Sequence, residues 1–446
     1  MKMEVWLEPQ EQRVGVLERA DDKRLTFTYD DKLQAAARIS LSMPITDQPY
    51  SDAACRGFFE NLLFEGPQLD RVLDSYKLDR GDTGSLLYHL GGDCPGAISI
   101  TPEGEGPAKR PGVFPDDYDA INDDHLLAIV RSLHIERRLL EEHRDPSPLA
   151  GVQGKIAVLY RDGTYYLPKA GRRAPTTHIL KVSPQGDPEL TRYEAALLGL
   201  STRCGLPTTQ FEAKTFNIGQ STVHAILVGR FDRDIHGNEI RRIHSEDFCQ
   251  ALGLAPSLKY ERNSMSPDHR FSAQAVGKIA TQVTAPGLFL QSFLYQTLFN
   301  LLVGNTDNHG KNSAILYRGG GTELAPLYDV VPVFMDKRVT HQFAFRMGLA
   351  DYAEDLTEAN LIEFMVDLGY RRPSAKPALG RMSKIVDTVN EDAAALGGKR
   401  LSDAVSEQMS VVAGALGADL GVEVRDYFGR QTRDDNAESG AWAITS

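Results

Sequence analysis

The chain has 446 residues and a formal net charge of −12, with 41% apolar and 25% charged residues. This length exceeds the roughly 150 residues of a typical domain, so we expect at least two cores, and the composition excludes a wholly disordered or collagen-like chain. The acidic balance argues against bulk attraction to nucleic acid as the organising feature.

The sequence predicts a cytoplasmic protein. Its longest apolar stretch, residues 288–303, is interrupted by Gln291, Gln296 and Asn300, so it is too short and too polar for a membrane span and predicts a buried helix. The first residues lack the charged-then-apolar pattern of a signal peptide. The four cysteines have no CxxC spacing, which favours free thiols in a reducing compartment over disulfide bonds or a zinc site.

The first 105 residues are predicted to be rich in strands. Short apolar runs at residues 4–7, 13–18, 25–29 and 37–41 are separated by turn residues. Helical periodicity follows at residues 51–63 and 69–76. Residues 101–117 contain four prolines and three glycines, so we predict a linker there.

A helix is predicted at residues 123–137, followed by a region of strands. Strands at 155–161 and 164–167 are joined by Asp162–Gly163, a strong hairpin signal. The next predicted elements are a strand at 177–182, a helix at 192–204, and strands at 209–216 and 221–228. Helices dominate from residue 247 onward. Five strands and a helix before a helical half are typical of a two-lobed nucleotide phosphotransferase, although many unrelated α+β proteins share this order.

The sequence VGNTDNHGKN, residues 303–312, places acidic, basic and amide side chains on one loop after the predicted buried helix: Asp307, His309, Lys311 and Asn312. A strand, a glycine turn and an antiparallel return should bring Asp329 close to this loop. The set suits phosphoryl transfer, in which Asp307 accepts the proton of the attacking hydroxyl while Asn312 and Asp329 hold Mg²⁺ on the nucleotide phosphates. The five-residue Asp-to-Asn spacing is that of a kinase catalytic loop. An Asx-rich turn that caps a hairpin is the competing interpretation.

Three weaker signals precede this loop. LAGVQGK, residues 149–155, has the glycines and lysine of a loop that covers nucleotide phosphates, but it lacks P-loop spacing and also fits an ordinary loop. Lys181 ends a strand and could reach the phosphates while Glu194 holds it, or the two could form a solvated surface pair. GRFDR, residues 229–233, follows a strand where a hinge between lobes would bind an adenine edge, although Phe231 fits a core position equally well.

The chain resembles the HipA family of bacterial serine/threonine kinase toxins across nearly its whole length. The matching stretches, in order, are FFENLLFEG, SLLYHLGGDCPGAISI, LAGVQGK, PTTHILKV, RFDR, FCQALGLAPSLKYE, GNTDNHGKN and PLYDVV. The resemblance implies an α+β protein with a two-lobed protein-kinase-like fold and an added strand-rich N-terminal domain. We divide the chain accordingly into the N-terminal domain at 1–105, a linker and helix at 106–145, an N-lobe region with the ATP phosphate loop at 146–232, a mostly helical C-lobe at 233–425 and a disordered tail at 426–446.

The same resemblance implies ATP and Mg²⁺ as cofactors and assigns the site residues. Asp307 takes the position of the catalytic base, Asn312 and Asp329 take the metal positions, and Lys181 takes the position of the ATP lysine. The other nucleotide-binding positions fall on the phosphate loop, the hinge and the catalytic loop: Ala150, Gly151, Val152, Gln153, Gly154 and Lys155; Gly229, Arg230 and Phe231; His309, Gly310 and Lys311.

The sequence departs from the family pattern at two positions. Gly229 stands where the best-known members have a glutamate in the hinge, so a backbone contact to adenine is compatible with this sequence but a side-chain contact is not. The family inactivates itself by phosphorylating a loop serine two residues before the Ala of AGxQ. That position is Pro148 in this chain, which makes Ser147 the nearest candidate for autophosphorylation.

The resemblance also implies partners. They are a HipB-like helix-turn-helix antitoxin, through which DNA is contacted only indirectly, and an aminoacyl-tRNA synthetase, above all the glutamyl enzyme, whose phosphorylation arrests translation. Two alternatives are a catalytically silent corepressor that acts with the antitoxin and a small-molecule phosphotransferase. The presence of Lys181, Asp307, Asn312 and Asp329 argues against the first, and the added N-terminal domain argues against the second.

Overall fold

The computed structural model describes residues 1–10, 12–63, 67–139, 154–380 and 382–416, and the chain separates into two compact units. The first unit comprises the described residues within 1–191, 210–256 and 314–322. The second comprises the described residues within 192–209, 257–313 and 323–416. Each unit therefore combines segments that are distant in sequence.

The described ranges contain the following strands and α-helices. The strands are β1 (Lys2–Leu7), β2 (Gln12–Arg19), β3 (Leu25–Tyr29), β4 (Ile98–Pro102), β5 (Gly112–Val113), β6 (Tyr118–Ala120), β7 (Lys155–Arg161), β8 (Thr164–Pro168), β9 (His178–Val182), β10 (Phe211–Ile218), β11 (Ser221–Gly229), β12 (Arg233–His236), β13 (Glu239–Arg242), β14 (His244–Asp247), β15 (Ala314–Arg318) and β16 (Gly321–Leu324). The helices are α1 (Asp52–Phe59), α2 (Pro67–Tyr76), α3 (Thr83–Leu90), α4 (Asp123–Glu136), α5 (Leu190–Arg203), α6 (Phe248–Leu252), α7 (Ala273–Ala280), α8 (Pro286–Leu302), α9 (Glu358–Asp367), α10 (Arg372–Gly380), α11 (Ser383–Ala393) and α12 (Lys399–Ala415).

The N-terminal residues form an antiparallel sheet with the order β3–β2–β1–β4. In β3, Leu25, Phe27 and Tyr29 are buried and the residues between them are exposed, which is the period-two pattern of a sheet with one covered face. Helix α1 covers that face, and the ring centroids of Phe27 and Phe59 are 5.5 Å apart. The predicted strands at 4–7, 13–18 and 25–29 are confirmed within one or two residues.

The second sheet of the first unit has six antiparallel strands in the order β10–β11–β9–β7–β8–β6. Helix α4 packs its apolar side against it, with Ile129 and Leu133 in the same buried cluster as residues of β7 and β9. The predicted hairpin between β7 and β8 is confirmed. Asp162 and Gly163 have φ values of 51° and 81°, as expected where both turn residues are left-handed.

The strand predicted at residues 37–41 is wrong. A 3₁₀ turn occupies Ala35–Ala37, and side chains rather than a neighbouring strand satisfy the backbone that follows. The Ile39 amide donates to the Tyr29 hydroxyl at 3.1 Å, and the Leu41 amide donates to Glu246 Oε1 at 2.9 Å. A backbone that bonds to side chains cannot join a sheet through the same groups, although its apolar residues are buried as in a strand.

Residues 101–117, predicted as a linker, contain a packed connection. Strand β5 pairs with β13, which pairs with β12. The Lys109 side chain is buried and donates to the Gly96 carbonyl at 2.8 Å. Strands β12 to β14 were not predicted, because each has only four residues, most of them charged or polar, and so no apolar period marks them.

Helix α8 is the central element of the second unit, where α7, α11 and α12 contact it. It begins with Pro286, whose fixed φ and missing N–H suit the first helical turn. Most of its remaining side chains are buried, so the predicted buried helix is confirmed. The chain then turns at Gly304, where φ is 70° and a Cβ atom would overlap the Phe334 ring, so this position requires glycine.

The structure also describes the state of the cysteines and the character of the helices. The four cysteines are free thiols, as predicted, and three of them are buried. Across the described ranges, no helix combines the length and the apolar character that crossing a bilayer demands.

Candidate active site

The loop that follows α8 is closed by hydrogen bonds among its own residues. The Asn305 amide donates to the Asn300 carbonyl at 2.8 Å, and Asn305 Nδ2 donates to Asn300 Oδ1 at 3.1 Å. Further along, the carbonyl of Asp307 accepts from the His309 amide at 2.8 Å and from Asn312 Nδ2 at 2.6 Å. The five-residue spacing therefore places the Asn312 carboxamide against the backbone of Asp307.

The carboxylate of Asp307 is partly exposed and is held by a tyrosine from an earlier segment. The Tyr260 hydroxyl donates to Asp307 Oδ1 in a short hydrogen bond. The ring of His309, which is buried, lies edge-on to the Tyr260 ring with centroids 5.0 Å apart. No role was predicted for Tyr260, although it lies in the matched stretch FCQALGLAPSLKYE. Its contact with the loop could not be predicted because it lies 47 residues before Asp307.

A small cavity adjoins the loop, and its wall includes both predicted metal residues, Asn312 and Asp329. The hairpin predicted that these two residues lie close together, and this proximity is confirmed. Their roles stay predictions. Because Asn312 Nδ2 donates to Asp307, the other amide atom, Oδ1, is the one suited to contact a cation. Other polar residues in the wall are Gln296, Thr297, Asn300, Asn305, Asn308, Ser313 and Tyr328.

This lining fits Mg²⁺, a hard cation that takes oxygen ligands and is commonly held by one or two carboxylates together with waters and substrate phosphates. Within the described parts of the chain, no three His, Cys, Asp or Glu residues gather as a metal site. A cation at this position would therefore depend on Asp329, on amide oxygens and on ligands that come with the nucleotide.

Asp329 has a left-handed backbone, with φ of 56°. This conformation costs a non-glycine residue about 1 kcal/mol and persists where the surroundings impose it, often at functional sites. The preceding chain is fixed from outside, since the Leu327 amide donates to the Pro207 carbonyl at 2.8 Å and the Leu327 carbonyl accepts from Thr209 at 3.0 Å. The chain is thus held in place immediately before Asp329.

In the first unit, Lys155 on β7 and Lys181 on β9 are register partners. Residues directly opposite on antiparallel strands project from the same face. Lys181 is only 7% exposed. The register therefore allows both side chains to contact one bound anion, such as a phosphate. Glu194 is fully buried, and its predicted pairing with Lys181 stays a prediction.

Gly154 is the first described residue of the predicted phosphate loop, and packing explains why it is glycine. A Cβ atom there would lie 2.8 Å from the Leu133 carbonyl oxygen of α4. Its own carbonyl accepts from the Val182 amide at 3.0 Å, which joins the loop to β9. The rest of the loop and the autophosphorylation candidate lie outside the described residues: Ser147, Ala150, Gly151, Val152 and Gln153.

The predicted hinge uses part of its backbone within the first unit. The Gly229 amide donates to the Gln210 carbonyl at 2.7 Å, and the Arg230 amide donates to the Thr177 carbonyl at 2.9 Å. The Phe231 carbonyl accepts from Arg318 at 3.3 Å. An adenine contact from this segment, which stays a prediction, would require other groups than the amides of Gly229 and Arg230 or a change in these bonds.

The side chains of the hinge form a buried ionic cluster. Arg230 donates two hydrogen bonds to Asp232, at 3.0 and 3.1 Å, and Arg233 Nη1 lies 2.8 Å from the same carboxylate. Burial alone would raise the pKa of Asp232. The charges of Arg230 and Arg233 outweigh this effect and hold the pKa of Asp232 well below its ordinary value. The cluster fixes the course of the chain that leaves β11.

Two family models match the chain. The HipA N-terminal domain matches residues 3–101 and the HipA-like C-terminal domain matches residues 147–394. A putative kinase of Sinorhizobium fredii, Y4mE, is 31% identical over 356 residues, which cover 79% of this chain and 81% of that protein. The serine/threonine-protein kinase toxin HipA of Shewanella oneidensis is 28% identical over 362 residues, covering 79% of this chain and 80% of the toxin.

A solved structure gives the same result for the fold. A chain in the complex of Shewanella oneidensis HipA, HipB and operator DNA superposes with a TM-score of 0.74 at 24% identity, covering 95% of this chain and all of that one. The predicted fold class, an α+β kinase-like fold with an added strand-rich N-terminal domain, is confirmed.

Proposed function

Since this chain belongs to the HipA family of kinases, we propose that it transfers the γ-phosphoryl group of ATP to a serine or threonine hydroxyl of a protein, as the toxin of a toxin–antitoxin pair. The observation that supports this function best is the arrangement around the Asp307–Asn312 loop. One partly exposed carboxylate is held at a fixed position, and a second carboxylate and an amide oxygen line the cavity beside it.

The proposed reaction assigns one task to each residue. Asp307 accepts the proton of the attacking hydroxyl while that oxygen bonds to the γ-phosphorus and the bond to the β–γ bridging oxygen breaks, releasing ADP. Asn312 and Asp329 would hold Mg²⁺, which would neutralise the charge of the phosphate oxygens. Lys155 and Lys181, opposite each other on β7 and β9, bind phosphate oxygens.

We infer a helix-turn-helix antitoxin as the partner. The related Shewanella protein was solved together with HipB and operator DNA. A net charge of −12 on this chain is compatible with DNA contact through the partner rather than through this chain itself. A short helix-turn-helix gene beside this one should encode a protein that copurifies with it.

The proposed substrate is an aminoacyl-tRNA synthetase, with the glutamyl enzyme favoured by the family resemblance. Phosphoproteomics after brief induction in the host identifies the substrate and the modified residue together. Asp307→Asn is the matched control, since its loop backbone bonds are retained. Loss of the general base should reduce transfer by about 10²–10⁴-fold without changing the unfolding temperature. Equal phosphorylation by the wild type and this variant would contradict the proposed function.

A further inference from the structure

Tyr260 lies in a short segment between two 3₁₀ turns, Pro256–Leu258 and Glu261–Asn263. Its side chain is 2% exposed, and its hydroxyl donates to Asp307 Oδ1 across 47 positions of sequence. A phenol buried to this extent has few orientations available. Its hydrogen bond therefore constrains the rotation of the carboxylate that it contacts.

The segment is joined to the catalytic loop at two further points. The Gly310 amide donates to the Lys259 carbonyl at 3.0 Å. The rings of Tyr260 and His309 meet edge to face, with an interplanar angle of 85°. The phenol and the Asp307–Asn312 loop thus belong to one hydrogen-bonded and packed unit.

The side chain of Arg262 also holds the Tyr260 ring in place. The Arg262 guanidinium carbon lies 4.0 Å from the ring centroid, within the range of a cation–π contact. Arg262 is in turn anchored by a hydrogen bond to the Phe343 carbonyl at 3.2 Å, and the neighbouring Glu261 amide donates to the Ala344 carbonyl at 2.8 Å. The position of the phenol is therefore set by residues 343 and 344 as well as by the loop.

We propose that Tyr260 is a positioning residue for phosphoryl transfer, a role that rests on the proposed function of Asp307 as the base. Its hydroxyl holds Oδ1, so that Oδ2 of the same carboxylate faces the substrate hydroxyl in one orientation.

The variant Tyr260→Phe removes one hydroxyl and keeps the ring, its packing and the cation–π contact. We expect kcat to fall about tenfold while the KM for ATP and the unfolding temperature are unchanged, since hydrogen bonds to charged groups are the stronger ones. The assay follows γ-phosphate transfer to purified glutamyl-tRNA synthetase. Tyr295→Phe, which removes a hydroxyl bonded to Gln291, is the matched control and should behave as wild type.

Asp307→Asn separates the two proposals. If it transfers phosphate as fast as the wild type, the proposed base is wrong. If it is inactive while Tyr260→Phe keeps the wild-type kcat, the positioning role of Tyr260 is overturned. A crystal structure of Tyr260→Phe provides a readout that does not depend on the acceptor. A rotated or multiply oriented Asp307 carboxylate supports the role, and an unchanged rotamer excludes it.

Discussion

Asp329 has a left-handed backbone and a carboxylate of the kind that can coordinate a cation. Its φ of 56° is unfavourable for any residue with a Cβ atom, yet the chain before it is fixed by bonds to Pro207 and Thr209. Asp329 lines the same cavity as Asn312. The proposed ligand role of this residue and the demand of its backbone can be separated by two substitutions.

Asp329→Ala and Asp329→Gly both remove the carboxylate, but only glycine accepts the left-handed backbone without strain. We expect both variants to lose the Mg²⁺ dependence of ATP binding, and the glycine variant to be the more stable of the two. Calorimetric titration with ATP alone and with ATP and Mg²⁺ measures the first effect, and thermal unfolding measures the second. Metal dependence equal to that of the wild type in both variants would make Asp329 a turn residue without a ligand role.

At the scale of elements, β14 presents two titratable side chains to the N-terminal residues. His244 Nε2 donates to the Ile39 carbonyl at 2.8 Å, and Glu246 accepts from Leu41 and, at 2.5 Å each, from the hydroxyls of Ser40 and Tyr317. Burial raises the pKa of Glu246 from 4.5 to about 7 and lowers the pKa of His244 from 6.5 to about 4. Both shifts therefore widen the pH range over which the neutral form of each group is populated in the folded protein.

These two pKa shifts make the stability of the folded protein depend on pH in opposite ways. The contribution of Glu246 is complete below pH 4.5 and is lost as the pH rises through about 7, because the unfolded chain releases its proton first. The contribution of His244 is lost as the pH falls from 6.5 towards 4. We expect Glu246→Gln to remove the first effect alone, so that its unfolding temperature rises relative to wild type between pH 5 and about 7. A difference that is independent of pH would show that Glu246 is ionised when folded.

The elements that could be predicted are those whose partners lie nearby in sequence. Strand β3 and the Asp162–Gly163 hairpin follow from local period and turn chemistry, and the proximity of Asp329 to its loop followed from one hairpin. Residues 37–41 could not be assigned, because their backbone groups are satisfied by side chains about 200 positions away. Tyr260 was missed for the same reason, since nothing local marks a tyrosine that bonds to an aspartate 47 residues later.

At the scale of the whole molecule, the N-terminal domain is joined to later residues of the first unit by a buried ion pair. Arg242 Nη1 lies 2.7 Å from Glu8 Oε2, with side-chain exposures of 4% and 2%, and the Arg242 amide donates to Glu8 Oε1 at 2.7 Å. The Asn61 side chain adds a bond to the Leu254 carbonyl at 2.8 Å. The contact between the N-terminal domain and the later residues therefore includes an ion pair in which both charged side chains are buried.

Glu8→Ala should lower the free energy of unfolding by about 3–5 kcal/mol, because it leaves a buried guanidinium without its counter-charge. Lys2→Ala is the matched control, since its ion pair with Glu18 is about half exposed on both sides and should change stability little. Denaturant unfolding of the full chain compares the two. A small effect of Glu8→Ala would mean that water or another acceptor replaces the carboxylate.

The Glu8–Arg242 pair also fixes an order of events during synthesis. Its two members are 234 residues apart, and at roughly 5–20 residues per second a ribosome adds the second about 10–50 s after the first. Until residues 242–246 have left the ribosomal tunnel, the N-terminal domain has no arginine, histidine or glutamate of that segment to bind. If the domain folds within this interval, its own sheet and α1 hold it together, and Glu8 and Ser40 lack the partners that they have in the complete structure. Docking is therefore a late step, and it can begin only after more than half of the chain has been made.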